Sequence, residues 1–510
     1  MSELTTNCLY YGDNLPVLRK YIPTDAIDLI YLDPPFNSKR EYNIIFKDRT
    51  GRESQAELGA FEDFWRWNEQ VQMDYDYLVN TTVNRGLVSA GVSSLIFGLC
   101  NSIGRNDITA YLVEMTIRLL EIHRVLKSTG SMYLHCGPSV SHYIKVVCDQ
   151  IFKPVNFRRE ITWRSGWVSG FKTSAQNWVR NHDVILYYVK DINRKWTFNK
   201  ELAYKPHPPD YIRRGETSEA SSKGYAIEDV WGAPRGDFDQ TEKELWSPWI
   251  KSFSREKTPY QTQKPLPLLN RIISVSSRKN DIVLDPFCGC GTTMISACEL
   301  GRRWIGIDIT HLAIAEIKHR MREKFAMEKI PAIGEPKDIE GARQLALEPE
   351  PNGRYQFQWW VVSLFEALPM AGTKHKGADK GIDGVIYFQD YSDEDRTSIT
   401  SKSIVLSVKS GSVSVKDIRD LAGTISRVKD CAMGIFISMQ NPTREMTQEA
   451  LANGFYHSPM WGNLPKIQMI TIQDLLDGKH PKIPQALNRN DYNEKKRDPF
   501  NLRQSEIKLR

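Results

Sequence analysis

The stretch DIVLDPFCGCGTTMISACELGRRWIGID (281–308) decides the fold. Its apolar runs DIVLD and WIGID have strand length and are bounded by turn residues, while TTMISACEL between them has helical spacing. This strand–helix–strand unit is the building block of an open, mostly parallel α/β sheet. The turn LDPFCGCGTT carries Phe287, Gly289 and Gly291, and glycine there permits tight turning and close approach of a ligand to the backbone. Asp308 closes the second strand roughly 20 residues after Asp285, where an acid can accept both hydroxyl hydrogens of a ribose. The loop reads FxGxG and lacks the three-glycine dinucleotide fingerprint. That favours a nucleoside-bearing ligand with no pyrophosphate to cradle, and S-adenosylmethionine fits. Standing alone, the same turn is equally compatible with a purely structural strand-to-helix connection.

A second apolar run, DAIDLIYL (25–32), ends in Asp33, Pro34, Pro35 and Phe36. This places an acid, a rigid backbone with exposed carbonyls and an aromatic ring at the carboxyl end of a strand, where ligands bind in such sheets. An exocyclic amino group on a nucleic-acid base is a poor nucleophile because its lone pair is shared with the ring. The Asp33 carboxylate and the Pro34 carbonyl can each take one amino hydrogen and draw the nitrogen toward tetrahedral geometry as positive charge develops on it. Phe36 would stack on the base, an interaction worth roughly 1–3 kcal/mol, against the few kcal/mol needed to extrude a nucleotide. By itself, the motif reads first as a proline turn after a strand.

The remainder of the chain organises around these two motifs. Apolar spacing predicts a helix over 108–126, a strand at 131–135 and a helix over 141–152. Residues near 155–257 then lose periodicity and crowd Trp, Arg, Lys and Gly, the composition of an inserted module. A helix follows from 312 to about 327, and Pro, Gly and charge across 331–352 read as a linker. Beyond it, a helix at 356–368, strands at 384–388 and 403–409 and a helix at 416–428 predict a separate, smaller α/β domain over 353–487. Residues 488–510 form a polar tail with no apolar face.

A length of 510 residues accommodates several domains, and the net charge of +6 is too mild to identify a partner. No apolar run approaches the ~18 residues of a membrane span. The start MSELTTNCLYYGDN lacks the charged-then-apolar pattern of a secretory leader. Eight cysteines without a CxxC pair argue against a disulfide scaffold, so a cytoplasmic protein is expected. His135 and Cys136 read as packing residues, and Cys288 with Cys290 lacks zinc spacing.

Taken together, DLIYLDPPFNS, the glycine-rich turn, GDN (12–14), YLVEMTIRLLEIHRVLKSTGSMYLHC, HDVILYYVK (182–190) and TQKPLPLLNRIISVSS (262–277) resemble the amino-methylating DNA methyltransferases of the beta class. In that class the motifs are circularly permuted, with the catalytic motif ahead of the cofactor motif. The resemblance covers about residues 1–327 and implies a Rossmann-like methyltransferase domain over 1–330. It assigns catalysis to Asp33, Pro34, Pro35 and Phe36. Cofactor binding falls to Asp285, Phe287, Gly289, Gly291 and Asp308, with Asp13 and Lys264 lining the pocket. Gly137 departs from relatives, which usually carry Asp after HC. DPPF rather than SPPY points to adenine N6 over cytosine N4.

Within the segment near 155–257, the expected target-recognition region, Trp163, Trp167, Trp178, Trp196, Trp231, Trp246 and Trp249 interleave with Arg164, Lys172, Arg180, Arg213, Arg214, Lys223 and Arg235. Such cations suit phosphates and such rings suit bases, although each residue taken singly reads first as core tryptophan or solvated cation.

Residues 355–477 resemble the Mrr-like endonuclease domains of the PD-(D/E)XK superfamily, through VVSLFEAL, KGADKGIDGVIYF and IVLSVKSG. The resemblance implies Asp383 and Lys409 as a Mg²⁺-dependent hydrolytic pair, with Glu366 adding a helix-borne acid. Ser407 stands where such nucleases usually place Glu or Gln, so the domain is either a weakened nuclease or a module that only binds DNA.

The expected function is site-specific DNA methylation at an adenine amino group. The alternatives are a combined restriction–modification protein that also cleaves DNA, cytosine N4 methylation, and RNA as substrate. DNA is the expected partner, and a second copy of the chain is a further open one.

Overall fold

The computed structural model describes residues 4–36, 41–47, 53–62, 65–164, 176–205, 225–232, 256, 258, 260, 262–347, 353–370, 381–392 and 398–484. By its internal contacts the chain divides into two units, residues 1–45 with 59–334, and 46–58 with 335–510.

The strands up to residue 334, in chain order, are β1 (Cys8–Tyr11), β2 (Ile27–Leu32), β3 (Glu41–Lys47), β4 (Glu53–Glu62), β5 (Leu126–Cys136), β6 (Phe157–Arg164), β7 (His182–Val189), β8 (Tyr204–Lys205), β9 (Tyr225–Ala226), β10 (Val230–Trp231), β11 (Ile282–Asp285), β12 (Arg303–Asp308) and β13 (Ala332–Ile333); all but β3 and β4, which cross the bounds of residues 46–58, lie within the first unit. Nine of them form one sheet in the order β10-β6-β7-β5-β2-β11-β12-β1-β13. The central strands run parallel, and only β7 opposes its neighbours β5 and β6.

Alternation along these strands explains why both faces are covered. In β2, Ile30 and Leu32 enter one core with the helices Asn14–Tyr21, Asp107–Val125 and Pro138–Phe152. Leu29 and Tyr31 enter the other, with Leu266–Ser276, Thr292–Glu299 and His311–Phe325. A strand apolar on both faces belongs inside a parallel sheet flanked by helices.

The two decisive sequence motifs meet at the sheet centre. β2 and β11 lie side by side, with Leu29 opposite Val283 and Ile30 opposite Leu284. From β11 the chain crosses to β12 on one side, and from β2 it reaches β5 on the other. This reversal is the switch point at which such sheets bind ligands.

Two expected boundaries change. The segment near 155–257 is not wholly an insert, because β6, β7 and β10 are strands of the main sheet. Tyr187 and Ile185 alternate with Leu186 and Tyr188 between the two cores, a period the surrounding charge obscured. The 331–352 segment is likewise not a bare linker. Its β13 pairs with β1, and Ile339–Leu347 is a helix with Ala342 and Leu345 buried.

The second unit contains β14 (Leu368–Pro369), β15 (Gly384–Tyr391), β16 (Ile399–Lys409), β17 (Cys431–Ser438), β18 (Phe455–Ser458), β19 (Gly462–Pro465) and β20 (Ile467–Thr471). Five of these form a sheet in the order β14-β15-β16-β17-β20. The helix Val415–Arg427 begins at a capping box between Ser414 and Asp417 and buries Ile418, Leu421 and Ile425, one stripe at helical spacing. No described helix is long and apolar enough to cross a membrane. All eight cysteines are free thiols. The polar tail lies outside the described residues.

Candidate active site

Parallel pairing brings the carboxyl ends of β1, β2, β11 and β12 to one edge of the sheet, and Asp33, Asp285 and Asp308 stand there together. Because β7 is antiparallel, with Val184 opposite Cys136, its amino end reaches the same edge.

Asp33 and Phe36 lie just beyond β2, with the Asp33 side chain about one-sixth exposed at 17%. Lys264, on the turn before the helix Leu266–Ser276, pairs with Asp33 Oδ2. Its Nζ also lies 5.3 Å from the centre of the Phe36 ring. The turn is braced by Gln263, whose Oε1 accepts from Thr258 N at 2.7 Å and whose Nε2 donates to Glu256 O at 2.7 Å. Lys264, expected in the cofactor pocket, thus contacts Asp33 of the DPPF turn.

Below Phe36 sits His135, fully buried and stacked on the ring at 5.5 Å between centroids. Tyr31 Oη and His135 Nδ1 share a hydrogen bond of 3.0 Å, and His135 Nε2 lies 3.4 Å from Asp183 Oδ2. Burial alone would raise the Asp183 pKa, but the His135 contact and the nearby charges of Lys264 and Arg180 outweigh it and hold the carboxyl well below its usual range.

The cofactor motif is held by its own acids. Asp285 is buried at the end of β11, and its carboxylate accepts from Phe287 N at 3.0 Å and Thr293 Oγ1 at 2.5 Å. Burial pushes it up to about 7, with the charges of Asp33 and Asp308 adding to the effect. Asp308 Oδ2 accepts from Gly289 N at 2.9 Å, and Oδ1 accepts from Thr310 N and Oγ1 at 2.9 and 2.8 Å. Burial pushes Asp308 up to about 6. Gly291 has φ +78°, and a Cβ there would come within 2.5 Å of Ile317 Cγ1, so this position requires glycine on both counts.

Asp13 caps the helix Asn14–Tyr21 by accepting from Leu15 N at 2.8 Å. Sequence reasoning assigned no role to its neighbours. Asn14 Nδ2 donates to Pro286 O at 2.8 Å, and buried Arg118 donates from Nε to Asn14 Oδ1 at 2.9 Å and from Nη2 to both Asp13 oxygens at 3.1 Å. Arg118 thereby ties the GDN turn to the glycine-rich turn. His135, expected as a packing residue, is buried, whereas Asp183 carried no assignment; the available signal was the His182-Asp183 pair heading an apolar strand.

Of the recognition-region residues, Trp163 and Trp231 are buried and Trp196 packs against the same core. Trp178 alone of the four described tryptophans is fully exposed. Trp167, Trp246, Trp249, Lys172, Arg213, Arg214, Lys223 and Arg235 lie outside the described residues.

In the second unit, Asp383 precedes β15. Its N–H donates to Leu406 O at 2.8 Å, and its Oδ2 accepts from Val408 N at 2.6 Å. Ser407 is buried, and Lys409, two residues on, shares its strand face. Glu366 is not helix-borne as expected: the helix Gly353–Leu364 ends first, and Glu366 lies exposed in the turn with φ 53°. Most of the KGADKG loop lies outside the described residues. Among the described residues, no group of three or more His, Cys, Asp or Glu is placed to hold a metal ion.

Residues 27–319 match the DNA methylase family that groups N6- and N4-amino methyltransferases, and the chain belongs to it. Residues 352–477 match a restriction endonuclease family of the Mrr type. The Type II methyltransferase M.BamHI of Bacillus amyloliquefaciens is 26% identical over 327 residues, covering 63% of this chain and 58% of that enzyme. The DNA adenine methyltransferase YhdJ of Escherichia coli is 25% identical over 315 residues, covering 59% of this chain and 78% of that protein. M.HinfI of Haemophilus influenzae is 28% identical over 320 residues, covering 62% of this chain and 68% of its own. The chain thus spans a little over half the length of the first of these relatives.

Proposed function

We propose that the chain transfers a methyl group from S-adenosylmethionine to the exocyclic amino group of a base extruded from DNA, adenine N6 in preference to cytosine N4. The observation that carries this reading is the adjacency of β2 and β11, which sets Asp33 and Phe36 beside the Asp285–Asp308 turn. The donor set fits the cofactor, since Asp308 stands at a strand end beside a glycine-rich turn, and an acid there suits ribose hydroxyls. When bound, S-adenosylmethionine supplies an electrophilic methyl on sulfonium. Phe36 stacks the base, Asp33 accepts an amino hydrogen, and Lys264 leaves the carboxylate as the amino group arrives. Incubating the protein with labelled S-adenosylmethionine and DNA, digesting to nucleosides and identifying the labelled base tests the reading. N6-methyl-2′-deoxyadenosine is expected, whereas label in deoxycytidine or in no nucleoside overturns the assignment.

The restriction endonuclease match favours a second reading, a restriction–modification protein that also cleaves DNA. The described residues do not assemble a Mg²⁺ site: Asp383 already accepts the Val408 N–H, Ser407 replaces an acid or amide, and Glu366 faces solvent. Asp383-dependent nicking of unmethylated plasmid in Mg²⁺ is the outcome that would restore this reading.

A further inference from the structure

We propose that Trp178 is the wedge that enters the DNA stack when the target base leaves it. This rests on the methyltransferase reading and names the side chain that offsets the cost of extrusion.

Trp178 is 97% exposed, whereas Trp163 and Trp231 are 1% and 9% exposed. An indole carries ~150–250 Å² of largely apolar surface, so leaving all of it in water forgoes a large stabilisation unless a ligand covers it. Its position selects the ligand. The amino end of β7 lies at the catalytic edge, and a Cβ at Gly137 would sit 3.2 Å from Arg180 Nη2 and 3.4 Å from Phe36 Cβ. The Arg180 guanidinium and the base-stacking ring thus flank one glycine, and Trp178, two residues before Arg180, lies within roughly 7 Å of chain from it.

The stalk is braced. Arg180 pairs with Asp183 and donates from Nε to His182 O at 3.3 Å, and Asp183 faces the buried His135 beneath Phe36. The indole is therefore held out from a fixed point beside the pocket. Arg180 remains half-exposed, a cation placed for a phosphate. Extruding a base leaves a gap between its neighbours, and an aromatic side chain that fills it recovers part of the lost stacking. The ring chemistry and the adjacent cation select a nucleic-acid duplex.

The test uses the full chain and duplexes carrying its site, located first by sequencing DNA that the wild type has methylated. Relative to wild type, Trp178→Ala should methylate the paired duplex about 10- to 100-fold more slowly, with S-adenosylmethionine affinity unchanged. Trp178→Phe should retain most of the rate. On a duplex whose target base is mismatched, and so already partly unstacked, Trp178→Ala should recover to within about threefold of wild type. Equal losses on paired and mismatched duplexes would make Trp178 a general contact and overturn the wedge, as would an unchanged rate. Absence of methyl transfer by the wild type itself sinks the underlying reading as well.

Discussion

Lys264 forms an ion pair with Asp33, the acid to which the proposed mechanism gives an amino hydrogen of the target base. The ammonium occupies one carboxylate oxygen and lies over the Phe36 ring, so it fills the corner that the base has to enter. In the proposed reaction Lys264 orients Asp33 before the base arrives and is displaced by it. Replacing Lys264 by Met should lower methyl transfer about 10- to 100-fold, and Lys264→Arg should restore part of it. Steady-state kinetics showing Met at the wild-type rate would remove Lys264 from the site.

Asp33→Ala removes the only acid of the DPPF turn. Loss of a preorganised group aimed at developing charge costs at least about 100-fold in turnover. S-adenosylmethionine affinity, read by calorimetry, should stay within about threefold of wild type. Retained transfer with intact cofactor binding is incompatible with the mechanism.

The Arg118–Asn14–Pro286 chain joins two turns that are remote in sequence. Asn14→Ala strands the Pro286 carbonyl and one Arg118 donor in a buried place, at a cost of about 1–3 kcal/mol. A lowered melting temperature and weaker cofactor binding are expected together. Weaker binding without a change in melting would mean that Asn14 touches the ligand rather than the fold.

Asp285 gives stability a definite pH sign. Its carboxyl is raised from 3.8 to about 7, so between those values the folded chain holds a proton that the unfolded chain has released. Stability then falls as pH rises through this window and levels off above it, by at most about 1.4 kcal/mol per pH unit for this group. Asp285→Asn keeps an acceptor for Phe287 and Thr293 and removes that slope. Urea midpoints from pH 5 to 8 should fall less steeply for the variant, and parallel curves would contradict the assignment.

Much of the site was legible because its chemistry is local in sequence. DPPF and FCGCG each sit on a turn whose strand could be read from a short apolar run, and their residues stand where strand ends put them. What escaped was what depends on pairing. The His135–Asp183 contact exists only because β7 runs antiparallel to β5, and periodicity within one strand carries no information about its neighbour's direction. The resemblance places Lys264 at the cofactor pocket, and its ion pair with Asp33 at the end of β2 could not be read from the sequence, because the two residues are 231 positions apart. The linker reading of 331–352 failed because two residues suffice for an edge strand, too few to show alternation. Ser407 was visible as a departure, but only the structure shows that Glu366 gives it no help.

The permuted order also has a consequence for biosynthesis. Asp28 Oδ2 accepts the N–H of Ile282, 254 residues further along the chain. A ribosome therefore finishes the strand that leads into Asp33 long before it makes the strand that flanks it, and until then one side of β2 is an open apolar edge in the nascent chain. At ~5–20 residues per second that interval lasts tens of seconds at the slow end of the range. A chaperone or a transient partner strand has its opportunity there, and translation speed across this stretch bears on how much enzyme is recovered.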